Sequence, residues 1–341
     1  MISLASTECG FGNSSRLGPC RDTSCRQCLI DIRSVSSLVK PPALRPGVPV
    51  GLISTSSPIT ADQLDRIVDY FEQRGHPVRM ADGLLDRQGY LAGPAERRAA
   101  GLNAMFADPE VGLVLPVNGG TGAWHLVDLI DYPAIRARPK IFTGFSNPTT
   151  LNNALLAGAG LASVHGVTGF SFSHPSESTK EETFWQLITG GITGSAVDGA
   201  DWRVLRGSGE ISGPVIGGNL YAFRPLVGTR WLPDTAGAIL LLEAMTAGYF
   251  EIDAALSHLR LAGVFDRIAG LVIGDPADWD RTDAADADID ELILRSVGGD
   301  FPVITGVPYG HRPDRMLFPI GCRVAFHLDR PRLRYLEELV S

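Results

Sequence analysis

The chain has 341 residues, 44% of them hydrophobic and 20% charged, with a formal net charge of −8. This composition suits one large α/β domain or two of ordinary size, and it excludes a nucleic-acid partner, because binding phosphates needs a basic face and no Lys/Arg cluster supplies one. The longest apolar runs, such as Ala238 to Leu242, are too short to cross a bilayer, and residues 1–40 lack the continuous apolar core of a secretory signal, so no membrane contact and a cytoplasmic location are expected.

Residues 1–40 are rich in Ser, Arg and Gly and show neither a helical nor a strand period, so they are expected to form an extension with little structure. Cys9, Cys20, Cys25 and Cys28 lie there, and the last three have a C-x4-C-x2-C spacing that zinc or an iron–sulfur cluster can use. The plain extension is the simpler reading, and a disulfide framework does not suit the cytoplasm. The folded part is expected to begin at Val39-Lys40-Pro41-Pro42.

Val48 to Ile53 reads as a strand that ends in the small-residue loop Ser54 to Pro58. A helix follows: Thr60 and Gln63 have capping-box spacing, Leu64, Ile67, Val68 and Phe71 form one apolar face, and Gly75 stands where a helix stops. Val78 to Ala81 is a second strand and Ala95 to Ala107 a second helix. Val111 to Val117 is a nearly all-apolar strand, as expected of one buried on both faces. Ile141 to Gly144 is the next strand, followed by a helix from about Pro148 to Leu156. This alternation implies a Rossmann-like α/β domain over residues 41–170 with a parallel sheet. Residues 171–210 look irregular and are expected to link it to a smaller, β-rich α+β domain over residues 211–341. Strands are expected there at Ala238 to Leu242, Gly270 to Ile273, Val303 to Gly306 and Arg323 to Leu328, with helices near Ile252 to Ala262 and Ile289 to Val297.

In parallel sheets ligands sit beyond the carboxyl ends of the strands, which singles out the loops Ser54 to Pro58, Asn118 to Gly122 and Gly144 to Asn147. Ser146 stands between a buried strand and a helix, where its hydroxyl is presented at the sheet edge and the next N–H points at a ligand. The alternative is an ordinary N-cap, and the second glycine of a G-x-S-x-G elbow is missing. The loop Asn118-Gly119-Gly120-Thr121-Gly122 lets backbone N–H groups approach a ligand, although no phosphate-loop spacing is present. Glu243 closes the apolar run from Ala238 and either orients a histidine or is a strand-end charge. His311, flanked by Gly and Pro, has the most loop-like setting of the histidines, with His165 as its competitor or a buried packing residue. The acids Asp283, Asp286, Asp288 and Asp290 lack the glycine of a calcium loop and read as caps of the next helix.

Together these pieces resemble the LD-carboxypeptidase family of serine peptidases, which includes the microcin C immunity-type peptidases. The resemblance rests on Lys40-Pro41-Pro42, Ser56-Ser57-Pro58, Asn118-Gly119-Gly120, Pro139 to Asn147, His165-Gly166, Ile216 to Leu220, Val227-Gly228-Thr229, Leu241-Leu242-Glu243, and Gly310-His311 leading to Pro319-Ile320-Gly321. It implies a triad of Ser146, Glu243 and His311. The implied oxyanion donors are the backbone N–H of Asn147 and of Gly119 or Gly120. It also implies a homodimer that needs no cofactor, and no metal is expected because the folded part has neither H-E-x-x-H nor a Cys/His cluster. Asn147 stands where the family has aspartate, which removes a charge beside the nucleophile. The implied reaction is removal of the terminal D-alanine of a muropeptide tetrapeptide. The immunity-type relatives instead imply a peptidyl- or aminoacyl-nucleotide amide as substrate, with Trp185 available to stack on a base. A member that binds peptide without cleaving it is the remaining alternative. Arg224, Arg312 and Arg315 are the candidate cations for a substrate carboxylate.

Overall fold

The computed structural model describes residues 37–173, 181–245, 248–275, 279 and 288–341. Cys9, Cys20, Cys25, Cys28, Asp283 and Asp286 lie outside these residues. The first stretch of the chain runs β1 (Val50–Ile53), α1 (Ala61–Glu72), β2 (Val78–Met80), α2 (Ala95–Ala107), β3 (Leu113–Pro116) and α3 (Tyr132–Ala137). Next come β4 (Ile141–Gly144), α4 (Thr149–Ala159), β5 (Ser163–His165), α5 (Phe170–Ser173), α6 (Glu181–Thr189), β6 (Ala196–Asp198) and β7 (Arg203–Arg206). The remainder is β8 (Glu210–Asn219), α7 (Leu220–Phe223), β9 (Ile239–Glu243), α8 (Tyr249–Leu261), β10 (Gly270–Gly274), α9 (Ile289–Val297), β11 (Val303–Val307), β12 (Phe318–Ile320), β13 (Arg323–His327) and β14 (Arg332–Tyr335).

The strands form one mixed sheet in the order β2-β1-β3-β4-β5-β12-β8-β9-β10-β11-β7, and β13, β14 and β6 branch from β8. Pairing is parallel within β2-β1-β3-β4-β5 and within β8-β9-β10-β11. The fold is therefore α/β. Strands β1, β3, β4, β9 and β10 are buried along their whole length, which is why they read as continuous apolar runs rather than alternating ones. The two parallel groups are joined by β12, which lies antiparallel to β5 and parallel to β8.

Helix α1 shows how local sequence sets the frame. Gln63 N–H donates to Thr60 Oγ1 at 3.2 Å while Thr60 N–H donates to Gln63 Oε1 at 2.9 Å, so the predicted capping box is complete. Leu64, Ile67 and Phe71 of this helix are buried against the sheet, each worth about 1.5–3 kcal/mol. Asp288 caps α9 by accepting from the N–H of Asp290 and of Glu291. The stretch expected to be irregular, 171–210, carries α6, β6 and β7. Helix α6 buries Phe184, Leu187 and Ile188, a three-and-four spacing, while β6 and β7 are too exposed to leave an apolar run. Among the described residues no helix is long and apolar enough to cross a membrane.

The sheet's consequence for function is a meeting of two carboxyl edges. One carries the loops after β1, β3 and β4. The other carries Asn219 at the end of β8, Glu243 at the end of β9 and the loop after β11. The β8–β9 register places Asn219 directly opposite Glu243.

Candidate active site

Strand β4 runs through Phe145-Ser146-Asn147-Pro148 into α4. Ser146 has φ 62°, and among the described residues it is the sole non-glycine with a positive φ. Such a backbone costs an L-residue on the order of 1–3 kcal/mol and persists only where neighbouring contacts impose it. They do so here. Thr149 N–H donates to Ser146 O at 2.9 Å, and the buried Asn147 side chain bolts the turn to two other loops. Asn147 Oδ1 accepts from Ser56 Oγ at 2.9 Å and from Ala123 N–H at 2.8 Å. The Ser146 side chain is left half-buried at the mouth of the sheet, the geometry of a nucleophile elbow.

An oxygen acceptor is all that Asn147 supplies to those two donors, and an aspartate would supply the same. Asn147→Asp is therefore expected to fold normally and keep activity within about tenfold. Asn147→Ala orphans both donors and should cost about 1–3 kcal/mol per group. Urea denaturation of both variants, beside steady-state rates, checks this.

Gly119 packs directly on the serine: a Cβ there would lie 3.0 Å from Ser146 Cβ and 3.3 Å from its Oγ. Gly119 O accepts from Ser57 N–H at 3.0 Å, and Gly119 N–H donates to Asn118 Oδ1 at 2.8 Å. The N–H groups of Gly120 and Asn147 reach no acceptor among the described residues. Arg98 braces these loops from behind, donating from Nη1 to Thr55 O at 2.5 Å and to Gly122 O at 3.1 Å, and from Nε to Gly93 O at 3.1 Å.

From the other edge, Glu243 Oε2 accepts from His311 Nδ1 at 2.8 Å, and its Oε1 accepts from Asn219 Nδ2 at 2.8 Å. Burial pushes the Glu243 carboxyl up, but the bonds from His311 and Asn219 outweigh it and hold the group below its ordinary value. The carboxylate is thus ionised and fixes the imidazole with Nε2 turned away from it. The ring of Phe145, the residue before Ser146, packs on the His311 imidazole with centroids 4.6 Å apart, bringing nucleophile turn and histidine together.

His165, the competitor, is fully buried between Thr149 and Tyr309. Desolvation pushes it down to about 3, so it is neutral at working pH. An unfolded chain offers an ordinary imidazole, so between pH 6.5 and about 3 it binds one proton more than the native state. Stability from this group is complete above that window and falls with pH inside it, by up to about 1.4 kcal/mol per pH unit. The lowered Glu243 adds a loss of the same sign further down. Urea midpoints at pH 7 and pH 4.5 should show the drop, and His165→Gln should show a smaller one.

Arg312 pairs with Asp275 and Asp314. Arg315 is buried over the Phe145 ring, with its guanidinium carbon 4.4 Å from the centroid, and donates to Gly166 O at 2.7 Å. Arg224 lies beside Tyr221 and pairs with no carboxylate among the described residues. Trp185 stacks on His76 with centroids 5.5 Å apart and meets Phe71 and Phe184 edge-on, so packing occupies the ring that was available for a base. Sequence reasoning assigned no role to Asn219, Ser56 or Arg98. Asn219 had a signal, an N-cap position before α7, and Arg98 had one in being a charge among the buried positions of α2.

Two family models match the chain in order, the LD-carboxypeptidase N-terminal domain over residues 50–166 and the LD-carboxypeptidase C-terminal domain over residues 212–326. The chain belongs to the LD-carboxypeptidase family. It is 30% identical to the probable murein peptide carboxypeptidase of Bacillus subtilis, across 84% of this chain and 91% of that one. It is 25% identical to the microcin C7 self-immunity protein MccF of Escherichia coli, across 86% and 95%. A solved MccF structure superposes with a TM-score of 0.80 at 24% identity, covering 89% of this chain and 99% of that one. The muramoyltetrapeptide carboxypeptidase from Oxalobacter formigenes superposes with a TM-score of 0.76 at 24% identity, covering 85% and 99%. As an LD-carboxypeptidase family member the protein is a peptidase, and Ser146 falls in the first matched segment while Glu243 and His311 fall in the second.

Proposed function

We propose that this peptidase removes the terminal D-alanine from a cytoplasmic muropeptide tetrapeptide by Ser146–His311–Glu243 catalysis. The observation that carries the proposal is the Glu243–His311 hydrogen bond at 2.8 Å, reached by a ring-packed turn whose serine holds φ 62°. Ser146 Oγ attacks the carbonyl of the L,D-peptide bond as His311 Nε2 takes its proton, and Glu243 stabilises the resulting imidazolium. The N–H groups of Asn147 and Gly120, which reach no other acceptor among the described residues, receive the developing oxyanion, a contribution of about 3 kcal/mol per donor in other hydrolases. His311 then returns the proton to the D-alanine nitrogen, the C–N bond breaks, and water attacks the acyl-serine with His311 again as base. Arg224 is the cation assigned to the substrate carboxylate. Its segment follows α7, which packs on the first turn of α4 through a bond from Thr150 Oγ1 to Ala222 O at 2.7 Å.

Muropeptide is favoured over an aminoacyl nucleotide because Trp185 is spent on packing and because the 30%-identical relative is named for murein peptide. The test is incubation with an L,D-muropeptide tetrapeptide and, separately, with an aminoacyl-sulfamoyl nucleoside, beside Ser146→Ala. Ser146-dependent release of D-alanine supports the proposal. Cleavage of the nucleoside alone overturns the substrate and keeps the triad, and no Ser146-dependent cleavage of either overturns both. Sedimentation as a dimer of identical chains is the assembly expected with it.

A further inference from the structure

Behind Glu243 a line of polar contacts runs away from solvent and ends at the nucleophile turn. Asn219, whose amide clamps Glu243 Oε1, donates its own backbone N–H to Thr149 Oγ1 at 3.0 Å. Thr149 Oγ1 lies 2.8 Å from His165 Nε2, and His165 Nδ1 lies 2.8 Å from the Tyr309 hydroxyl. Thr149, His165 and Tyr309 are all buried to within 1% of complete. The Thr149 backbone N–H meanwhile donates to Ser146 O at 2.9 Å. One residue therefore holds the serine's turn with its backbone and the triad carboxylate's clamp with its hydroxyl.

Two further features show that this contact is built in. Strand β8 crosses the Thr149–His165 pair at Gly218, φ 133°, where a Cβ would lie 2.6 Å from His165 Nε2 and from Thr149 Oγ1. Only glycine lets the strand sit close enough for the next residue, Asn219, to reach the threonine. A neutral imidazole also has one donor and one acceptor nitrogen, so His165 fixes the directions of the hydroxyls on either side. An uncharged ring suits that task, since an imidazolium would offer a donor to both.

We infer that Thr149 is a positioning residue that keeps the nucleophile turn and the Glu243–His311 pair in mutual register, with His165 and Tyr309 orienting its hydroxyl. This rests on the triad reading above. Without the hydroxyl, the Asn219 N–H loses its acceptor in a buried setting, the end of β8 shifts, and the amide clamp on Glu243 loosens. His311 then meets a carboxylate free to turn.

The test compares Thr149→Val, which keeps shape and loses the hydroxyl, with Thr149→Ser, which keeps it. Rates on the accepted substrate are read beside the low-field NMR resonance of the His311 Nδ1 proton bonded to Glu243. Thr149→Val is expected to lose about 10–100-fold in kcat with KM within about twofold, and to displace or broaden that resonance. Thr149→Ser is expected to stay within about threefold of wild type with the resonance in place. A Thr149→Val enzyme with wild-type kcat and resonance overturns the proposal, and so does a Thr149→Ser enzyme that falls as far as the valine. If wild type shows no Ser146-dependent turnover, it is the triad reading that fails, and the resonance alone still decides whether Thr149 holds the Glu243–His311 pair. Should Thr149→Val not fold, Tyr309→Phe serves instead: a smaller displacement of the same resonance supports the relay, and an unmoved one overturns it.

Discussion

Ser146→Ala is expected to lower kcat/KM by roughly 10³–10⁶-fold, the range in which other hydrolases lose a triad nucleophile. Residual activity, if the oxyanion donors and binding contacts act without the serine, should be independent of serine-directed phosphonates. Folding stability should change little, because alanine finds φ 62° no easier than serine does. Ser146→Gly separates the two roles of the position. It should be as inactive as the alanine variant yet more stable by about 1 kcal/mol, since glycine accepts a left-handed backbone without a Cβ clash. A thermal melt of the three proteins reads the stored strain directly. Equal stability of the alanine and glycine variants would mean that the turn is not strained at Ser146.

The second large effect is expected at Glu243. Two donors converge on its carboxylate, Asn219 Nδ2–H on Oε1 and His311 Nδ1–H on Oε2, each at 2.8 Å. Glu243→Gln keeps the shape and supplies one acceptor and one donor end. If the amide oxygen faces Asn219, the amide nitrogen faces His311 and forces its proton from Nδ1 to Nε2, the atom that must be basic. If the amide turns round, donor meets donor at Asn219 in a buried setting. The first arrangement should lower kcat by about 10³–10⁴-fold, as when a triad acid elsewhere is replaced by its amide, and both remove the charge that stabilises an imidazolium. Stability should fall by about 1–3 kcal/mol for the mispaired buried group. Steady-state rates and urea midpoints on the same preparation check both. A glutamine variant with more than a tenth of wild-type kcat would show that Glu243 is not the orienter.

Much of this site was legible from sequence because its members sit where strands end. A buried strand leaves a continuous apolar run, and the residue that closes it, Glu243 or the turn of Ser146, stands out by contrast. Capping chemistry was equally visible at Thr60–Gln63 and at Asp288, because it is completed within one helical turn. What escaped was whatever depends on register between distant strands. Asn219 faces Glu243 only through the β8–β9 pairing, and Thr149 meets it across two separate parallel groups. Strand β12 was hidden for another reason: Pro319 lacks an N–H and argues against a central strand, yet it pairs with Val164 between β5 and β8.

That short strand has a consequence for how the protein comes into being. Among the described residues Phe318 to Ile320 supply the rung between β5 and β8, so both of those edges stay open on a growing chain until this segment has left the ribosome. Ser146 is synthesised early and waits on an unfinished sheet, beside no Glu243 and no His311. The growing chain meanwhile exposes an unpaired edge of β5 from residue 165 until residue 320 has emerged, where a holding chaperone would have the most to protect.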